Sequence, residues 1–245
     1  DRLAFSCLCE LDKQGNITEY KFAKTVIRSR VKGVYSEINS LLAGSDDAEL
    51  KEKYAEVSGQ LPIINELADI LYKNKKNRGC PELETSESKL IIDDEDICVG
   101  VERRTRGRSE EIIEDFMLVA NECAARFGMD NNLPFVYRIH EEPSDEKLES
   151  LREALVKLNV QYKLGEKACP GDMSEILKAA KGTDIDLIMN NIVLRSMSKA
   201  RYSTEPVGHF GLALEDYAPF TSPIRRYPDL TIHRIMSAFL SGSSA

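Results

Sequence analysis

The longest periodic segment of this 245-residue chain, residues 109–127, is the feature that most restricts its fold. Apolar side chains recur there at helical spacing and predict an amphipathic helix with one buried stripe, formed by Ile112, Ile113, Phe116, Met117, Ala120, Ala124 and Phe127. Gly128 follows the stripe directly and predicts the end of the helix.

Strand-like and helix-like segments alternate through the rest of the chain. Residues 3–11 and 17–27 predict one β-hairpin, and residues 90–92 and 97–101 predict another. Further helices are predicted at 35–42, from Asp46 or Asp47 to an interruption at Pro62, after Pro62, and at 145–158, 173–181, 184–198 and 230–240, with a polar loop at 72–87. Because the strands lack regular βαβ spacing, the sequence predicts an α+β fold, a mixed β-sheet with surrounding helices.

The charge of the chain alone does not identify its partners. The net charge is −8, which is the wrong sign for a nucleic-acid-binding protein. Lysine and arginine nevertheless cluster at 21–32, 73–78, 103–108 and 225–226, whereas acidic residues concentrate at 46–57, 93–96 and 141–149. This distribution fits either a basic channel inside an acidic shell or mixed, solvated helix faces.

The lack of a membrane-spanning or signal-peptide pattern and the distribution of cysteines predict a cytoplasmic location. The chain has no run of about eighteen apolar residues, which a membrane span needs, and no signal-peptide pattern. Its six cysteines are scattered, which is typical of reduced thiols in a cytosol.

Two short patterns could bind a metal ion. Cys7 and Cys9 form a Cys-x-Cys pair, but no second pair completes a zinc set, so packing on one strand face is the favoured interpretation. The run Asp93–Asp96 lies on a predicted hairpin turn. Consecutive carboxylates there diverge, which favours a solvated turn over a cation site.

The segment Thr221-Ser-Pro-Ile-Arg-Arg-Tyr-Pro-Asp229 predicts a phosphate site. It places Arg225 and Arg226 side by side on a turn bracketed by prolines, just before a predicted helix. The guanidinium fork matches a phosphate group and stays charged at any plausible pH. The helix N-terminus adds backbone N–H groups that point the same way.

Four residues around the two arginines are expected to support this turn. They are Ser222, Pro223, Asp229 and His233. Asp229 and His233 stand four positions apart on the helix, so we expect them to pair and to orient the turn. Neither His209 nor His233 is proposed as a general base.

The whole string from Gly208 to Leu230 resembles the signature of the ribonuclease R/ribonuclease II family of exoribonucleases. Five further blocks resemble the family in the same order: residues 1–6, residues 19–30 with Tyr35, residues 113–127, residues 135–143 and residues 194–197. This resemblance implies 3′→5′ hydrolysis of single-stranded RNA to nucleoside 5′-monophosphates by a monomeric enzyme that uses Mg²⁺.

The resemblance assigns roles to individual residues. It makes Arg225 the catalytic arginine, while Arg226 either orients neighbouring structure or contacts phosphate. Tyr35 matches the tyrosine that stacks on the terminal base. Leu83, within residues 78–84, stands where the family has the opposing phenylalanine and offers only apolar contact.

Glu114 and Asn121 match positions near the bound nucleotide. Glu114 could accept a hydrogen bond from a ribose hydroxyl, which would favour RNA over DNA. Asn121 lies on the apolar stripe of its helix, so a satisfied core amide or a helix-edge residue is the alternative there.

The resemblance also implies which part of the catalytic domain is present. Residues 1–245 correspond to the central and C-terminal portion of one RNB-type catalytic domain, without the upstream metal-binding aspartates and the flanking oligonucleotide-binding barrels. The Mg²⁺ ligands are therefore expected upstream of Asp1, and the isolated chain is expected to be inactive. A catalytically silent RNA-binding or protein-interaction module of the same fold is the alternative, and a phosphate-binding protein of another class is a third.

Overall fold

The computed structural model describes residues 1–83, 87–104 and 106–242, and the side chains of all these residues except those at 87–89, 103 and 104. Its strands are β1 (Arg2–Leu11), β2 (Ile17–Ile27), β3 (Glu87–Ile92), β4 (Cys98–Arg104), β5 (Tyr137–Ile139) and β6 (Arg201–Ser203). Its helices are α1 (Tyr35–Leu42), α2 (Ala48–Lys53), α3 (Leu61–Asn77), α4 (Arg108–Asp130), α5 (Asp145–Lys157), α6 (Pro170–Ala180), α7 (Asp186–Ser196) and α8 (Tyr227–Leu240).

The α+β class is confirmed, and so are both predicted hairpins. In place of one mixed sheet, the strands of the described residues form three separate antiparallel pairs, β1–β2, β3–β4 and β5–β6. The first two pairs close through short turns, and α4 packs against β1 and β2. The only parallel pairing found in the described part of the chain is the single bridge between His140 and His209.

The turn of the first hairpin is closed by a side chain. Asp12 Oδ1 accepts hydrogen bonds from the backbone N–H groups of Gln14, at 2.8 Å, and of Asn16, at 2.9 Å. Gly15 adopts φ +82°, a left-handed conformation that glycine takes without steric cost. This local chemistry explains why β2 returns directly alongside β1.

Helix α4 continues past the predicted stop at Gly128 to Asp130, so that prediction was wrong. Gly128 is present because the ring of Phe135 packs directly on it. A Cβ atom at position 128 would lie 2.4 Å from Cδ2 of that ring. The glycine therefore permits a close packing contact within the helix and does not end it.

Two more boundaries differ from the sequence predictions. Pro62 lies in the first turn of α3, where its missing N–H has no helical partner to lose, so it starts that helix. The same helix runs to Asn77, which removes residues 72–77 from the predicted loop 72–87; residues 84–86 lie outside the described part of the chain.

Two hydrophobic clusters form the core. One lies among α5, α6 and α7 and includes Leu151, Ile176 and Met189. The other joins the first hairpin to α4, α8 and the segment 218–220. Phe22 lies at its centre, with ring centroids 5.4 Å from Phe127 and 5.0 Å from Phe220. The second cluster fixes the segment that carries the predicted phosphate site.

Candidate functional site

The arginine turn, which we define as residues 221–226, presents Arg225 to solvent. The N–H groups of Arg225 and Arg226 both bond to the carbonyl oxygen of Ser222, at 3.3 and 3.0 Å. Arg225 Nη2 lies 3.5 Å from Ser222 Oγ, and no carboxylate among the described residues pairs with this guanidinium. The guanidinium of Arg225 is therefore positioned to bind an anion from solvent.

Asp229, near the N-terminus of α8, stabilises the arginine turn through two hydrogen bonds. Its side chain is 0% exposed, and Oδ1 accepts hydrogen bonds from Ser222 N at 2.8 Å and from Arg226 Nη2 at 2.6 Å. A carboxylate at a helix N-terminus is also favoured by the helix dipole. Arg226 therefore stabilises the arginine turn, whereas Arg225 projects from the turn into solvent.

The predicted pairing of Asp229 with His233 was wrong. His233 Nε2 lies 2.8 Å from the carbonyl oxygen of Phe220, and the imidazole stacks on the Phe220 ring with centroids 4.4 Å apart. Both residues share one face of α8, but that face meets a folded loop. Each side chain consequently reaches a different part of the loop.

Asn121 contacts the same loop from α4. Its Oδ1 accepts hydrogen bonds from Phe220 N at 3.0 Å and Thr221 N at 3.2 Å, and its Nδ2 donates to the Tyr217 hydroxyl at 3.0 Å. The side chain is only 2% exposed. The prediction that Asn121 contacts RNA is therefore not supported, because this amide is buried and its polar atoms are already bonded within the protein.

Glu114 lies on a more open face of α4. Its carboxylate contacts Arg106 Nη1 at 2.8 Å and Lys75 Nζ at 3.6 Å, with the side chain 44% exposed. The sequence did not predict these two ion pairs. A ribose hydroxyl would have to share the carboxylate with two cations.

Tyr35 and Leu83 differ in their surroundings. Tyr35 begins α1 and is about half exposed, and its carbonyl oxygen accepts a hydrogen bond from Ser109 Oγ at the start of α4. Leu83 is partly buried against the cluster formed by α5, α6 and α7. No contact between these two described residues is observed, so their facing each other across RNA stays a prediction; Glu84, the end of that predicted segment, lies outside the described residues.

A charged cleft that the sequence did not reveal lies between α3, α4 and the segment 213–216. It has a volume of about 350 Å³. Glu122 lies at its wall, bonded to Arg126 at 2.6 Å and 3.7 Å from Arg78. Burial raises the pKa of Glu122 and of Asp115, which also lines the cleft. In the sequence, the only indication of this cleft is the four-residue spacing of Glu122 and Arg126, which is typical of an ion pair on one helix.

His140 forms a buried pair with His209, which lies inside the signature segment 208–230. Their ring centroids lie 5.0 Å apart, and His140 Nδ1 accepts a hydrogen bond from Gly211 N at 3.0 Å. A Cβ at position 211 would come within 2.7 Å of that nitrogen, so glycine is required there. Burial lowers the pKa of His140, and burial together with His140 and Arg138 lowers the pKa of His209 to about 4.

The low pKa of His209 predicts a specific loss of stability in acid. The unfolded chain binds a proton at this residue below about pH 6.5, whereas the folded chain binds it only near pH 4. His209 should therefore leave the free energy of unfolding unaffected above pH 6.5 and lower it by up to about 3 kcal/mol as the pH falls through this window. Urea unfolding of the native protein and of His209→Gln between pH 7.5 and 4 measures this difference, and parallel curves would contradict it.

The described residues do not fit a magnesium site. Within 1–83, 87–104 and 106–242, no three His, Cys, Asp or Glu side chains come together in a way that could hold a metal ion. The carboxylate of Asp93 bonds to the N–H groups of Glu95 and Ile97 and so closes the hairpin turn. Cys9 Sγ lies 3.7 Å from the buried thiol of Cys123, which is a packing contact.

In the same described residues, no helix has both the length and the apolar character needed to cross a membrane.

Fold and site together define an α+β protein that presents one exposed arginine on a rigid turn fixed by a buried carboxylate and a buried amide. The chain belongs to the RNB domain family, whose pattern matches residues 1–242.

Ribonucleases R are among its curated relatives, and the chain spans about a third of their length. Ribonuclease R 1 of Lactococcus lactis is 37% identical over 248 residues, covering 100% of this chain and 30% of the relative. Ribonuclease R of Escherichia coli is 37% identical over 241 residues, covering 98% of this chain and 29% of the relative.

Solved structures show the same fold. Mycoplasma genitalium RNase R in complex with ribose methylated single-stranded RNA has a TM-score of 0.90 at 30% identity, over 98% of this chain and 37% of that one. Yeast Ssd1, a pseudonuclease, has a TM-score of 0.73 at 17% identity, over 99% of this chain and 30% of that one, and supports the fold alone.

Proposed function

We propose that the protein to which this chain belongs is a cytoplasmic, monomeric exoribonuclease that hydrolyses single-stranded RNA from the 3′ end to nucleoside 5′-monophosphates with Mg²⁺. The observation that carries the proposal is Arg225, which has no carboxylate partner among the described residues and lies on a hydrogen-bonded turn inside the family signature. The RNA complexes of the Mycoplasma genitalium enzyme support RNA as the partner.

Arg225 is the proposed catalytic residue. Its guanidinium would bind the oxygens of the scissile phosphate and stabilise the charge that grows on them in the transition state. Ser222, Arg226 and Asp229 already fix the turn through bonds of 2.6 to 3.0 Å. The backbone that carries Arg225 therefore needs little reorganisation when the reaction occurs.

The metal would be held elsewhere in the parent protein. The described residues provide no ligand set, and the chain covers about 30% of its curated relatives. We therefore propose that residues 1–245 are the central and C-terminal portion of a single catalytic domain, and that the Mg²⁺ ligands are contributed by an upstream segment.

Two further residues would contact the RNA. The exposed ring of Tyr35 offers a surface on which the terminal base would stack. Glu114, half exposed, would accept a hydrogen bond from a ribose hydroxyl. Leu83 would add at most apolar contact, since its side chain already packs against the helical cluster.

A silent RNA-binding module is the second candidate. Its specific support is that no three His, Cys, Asp or Glu side chains among the described residues come together in a way that could hold a metal ion. A module of this kind would keep Arg225 as a phosphate contact and would not hydrolyse the RNA.

One experiment separates the two candidates. The full-length parent protein is incubated with 5′-labelled single-stranded RNA and millimolar Mg²⁺, beside the isolated chain of residues 1–245. The enzyme proposal expects a ladder that shortens from the 3′ end with the parent, its loss when the 3′ end is blocked, and intact RNA with the isolated chain. RNA that is bound by the parent but never shortened would instead establish the silent module.

A further inference from the structure

We infer that Asn121 is a positioning residue for Arg225, acting through the loop of residues 217–221. This inference rests on the proposed exoribonuclease function. It gives Asn121 no contact with RNA and instead makes the buried amide on α4 the group that sets where the arginine turn begins.

The loop is fixed to α4 by a set of hydrogen bonds that converge on this one residue. Its side-chain oxygen accepts from the consecutive N–H groups of Phe220 and Thr221, and its side-chain nitrogen donates to the Tyr217 hydroxyl. The carbonyl oxygen of Asn121 accepts a further bond from Ala218 N, at 3.4 Å. One residue thus contacts both ends of the loop.

The helix that carries Asn121 is a rigid support. Its neighbours Cys123, Ala124 and Ala125 are 0% exposed in the core beneath the first hairpin. The Phe220 ring packs into that same core against Phe22. Apolar packing therefore holds the ring in place, whereas the amide fixes the backbone to which the ring belongs.

The loop leads directly into the turn that carries Arg225. Thr221 N bonds to Asn121, and the next residue, Ser222, accepts the N–H groups of Arg225 and Arg226 on its carbonyl oxygen. From the other side, Asp229 accepts the N–H of Ser222. Asn121 and Asp229 hence hold adjacent peptide units, and a shift at Thr221 would displace the guanidinium of Arg225.

The test uses the full-length parent protein and the variant Asn121→Leu, which keeps the branched shape of the side chain but none of its hydrogen bonds. We expect kcat to fall by about 10- to 100-fold, with KM changed less than threefold. This loss is smaller than the roughly 10²–10³-fold expected when the donor itself is removed, because the guanidinium is displaced and not deleted. Asn121→Asp should recover most of kcat, because both carboxylate oxygens accept and the Tyr217 hydroxyl can donate in return.

A matched control separates positioning from general stability. Asn74 is also a buried asparagine that fixes a loop, donating to Gln14 O and Asn16 Oδ1, both at 2.9 Å, on the turn of the first hairpin. Asn74→Leu should lower the thermal midpoint as Asn121→Leu does, with kcat per folded molecule within twofold of the native value. Should Asn121→Leu fail to fold, Asn121→Ser replaces it in every measurement.

A double-mutant cycle with Arg225→Ala decides the inference. If Asn121 acts through Arg225, Asn121→Leu should lower kcat less than threefold in the Arg225→Ala background. An equal fold-loss in both backgrounds, with the native parent active, would overturn the positioning role and leave the proposed function standing. A native parent that never shortens RNA would overturn both.

Discussion

Replacing Arg225 by alanine in the full-length parent protein should lower kcat by a factor on the order of 10²–10³, the scale for losing one preorganised donor to a transition state. Arg225 is exposed, and Ser222 Oγ, 3.5 Å from Nη2, is the one side-chain partner found for it in the described part of the chain. Its truncation should leave RNA affinity nearly unchanged and the free energy of unfolding within about 0.5 kcal/mol. Single-turnover cleavage, RNA titration and urea unfolding give the three values.

Two substitutions serve as controls for Arg225→Ala. Arg225→Lys should restore little activity, because an ammonium group cannot reproduce the two-pronged contact of a guanidinium with phosphate. Arg201→Ala removes a comparably exposed arginine whose partner is Glu141, at 3.1 Å, and should leave kcat unchanged. A normal kcat for Arg225→Ala would reduce this residue to part of the turn.

The secondary structure was predictable where local chemistry decides it. β-Branched and aromatic residues in 3–11 and 17–27, with a turn closed by Asp12 and Gly15, specify the first hairpin, and helical spacing specifies α4. The prediction failed at Gly128, because a glycine that ends a helix and a glycine that admits a ring have the same local sequence signature. Only the tertiary contact with Phe135 distinguishes the two cases.

The candidate site was predictable to the extent that its chemistry is local. Adjacent guanidinium groups between prolines identified the arginine turn, but not which of the two arginines projects from it. That distinction depends on Asp229, which bonds Arg226 three positions away and could equally have paired with His233. The contact of Asn121 with Phe220 spans 99 positions, and sequence spacing carries no information on such a pair.

Removing the buried carboxylate of Asp229 should have the largest effect on stability. Asp229→Ala leaves the Ser222 N–H without its acceptor and Arg226, with 27% of its side chain exposed, without its counter-charge. Breaking a buried ion pair by deleting one partner costs about 3–5 kcal/mol. Urea unfolding should show a loss of this size, and the folded fraction of the parent should lose kcat as well, because the turn beneath Arg225 is released.

The loss of stability depends on the burial of Asp229 if removing an exposed carboxylate at another helix N-terminus destabilises the protein less. Asp47 caps α2 by accepting from Glu49 N at 2.9 Å and Leu50 N at 3.2 Å, and it is exposed. Asp47→Ala should cost about 1 kcal/mol, the typical value for an N-cap, and leave kcat unchanged. The loss of stability for Asp229→Asn should lie between those for Asp47→Ala and Asp229→Ala. The amide oxygen can still accept from Ser222 N, but the charge opposite Arg226 is gone. Equal losses for Asp47→Ala and Asp229→Ala would mean that burial adds nothing to the role of Asp229, and that apolar packing alone holds the arginine turn.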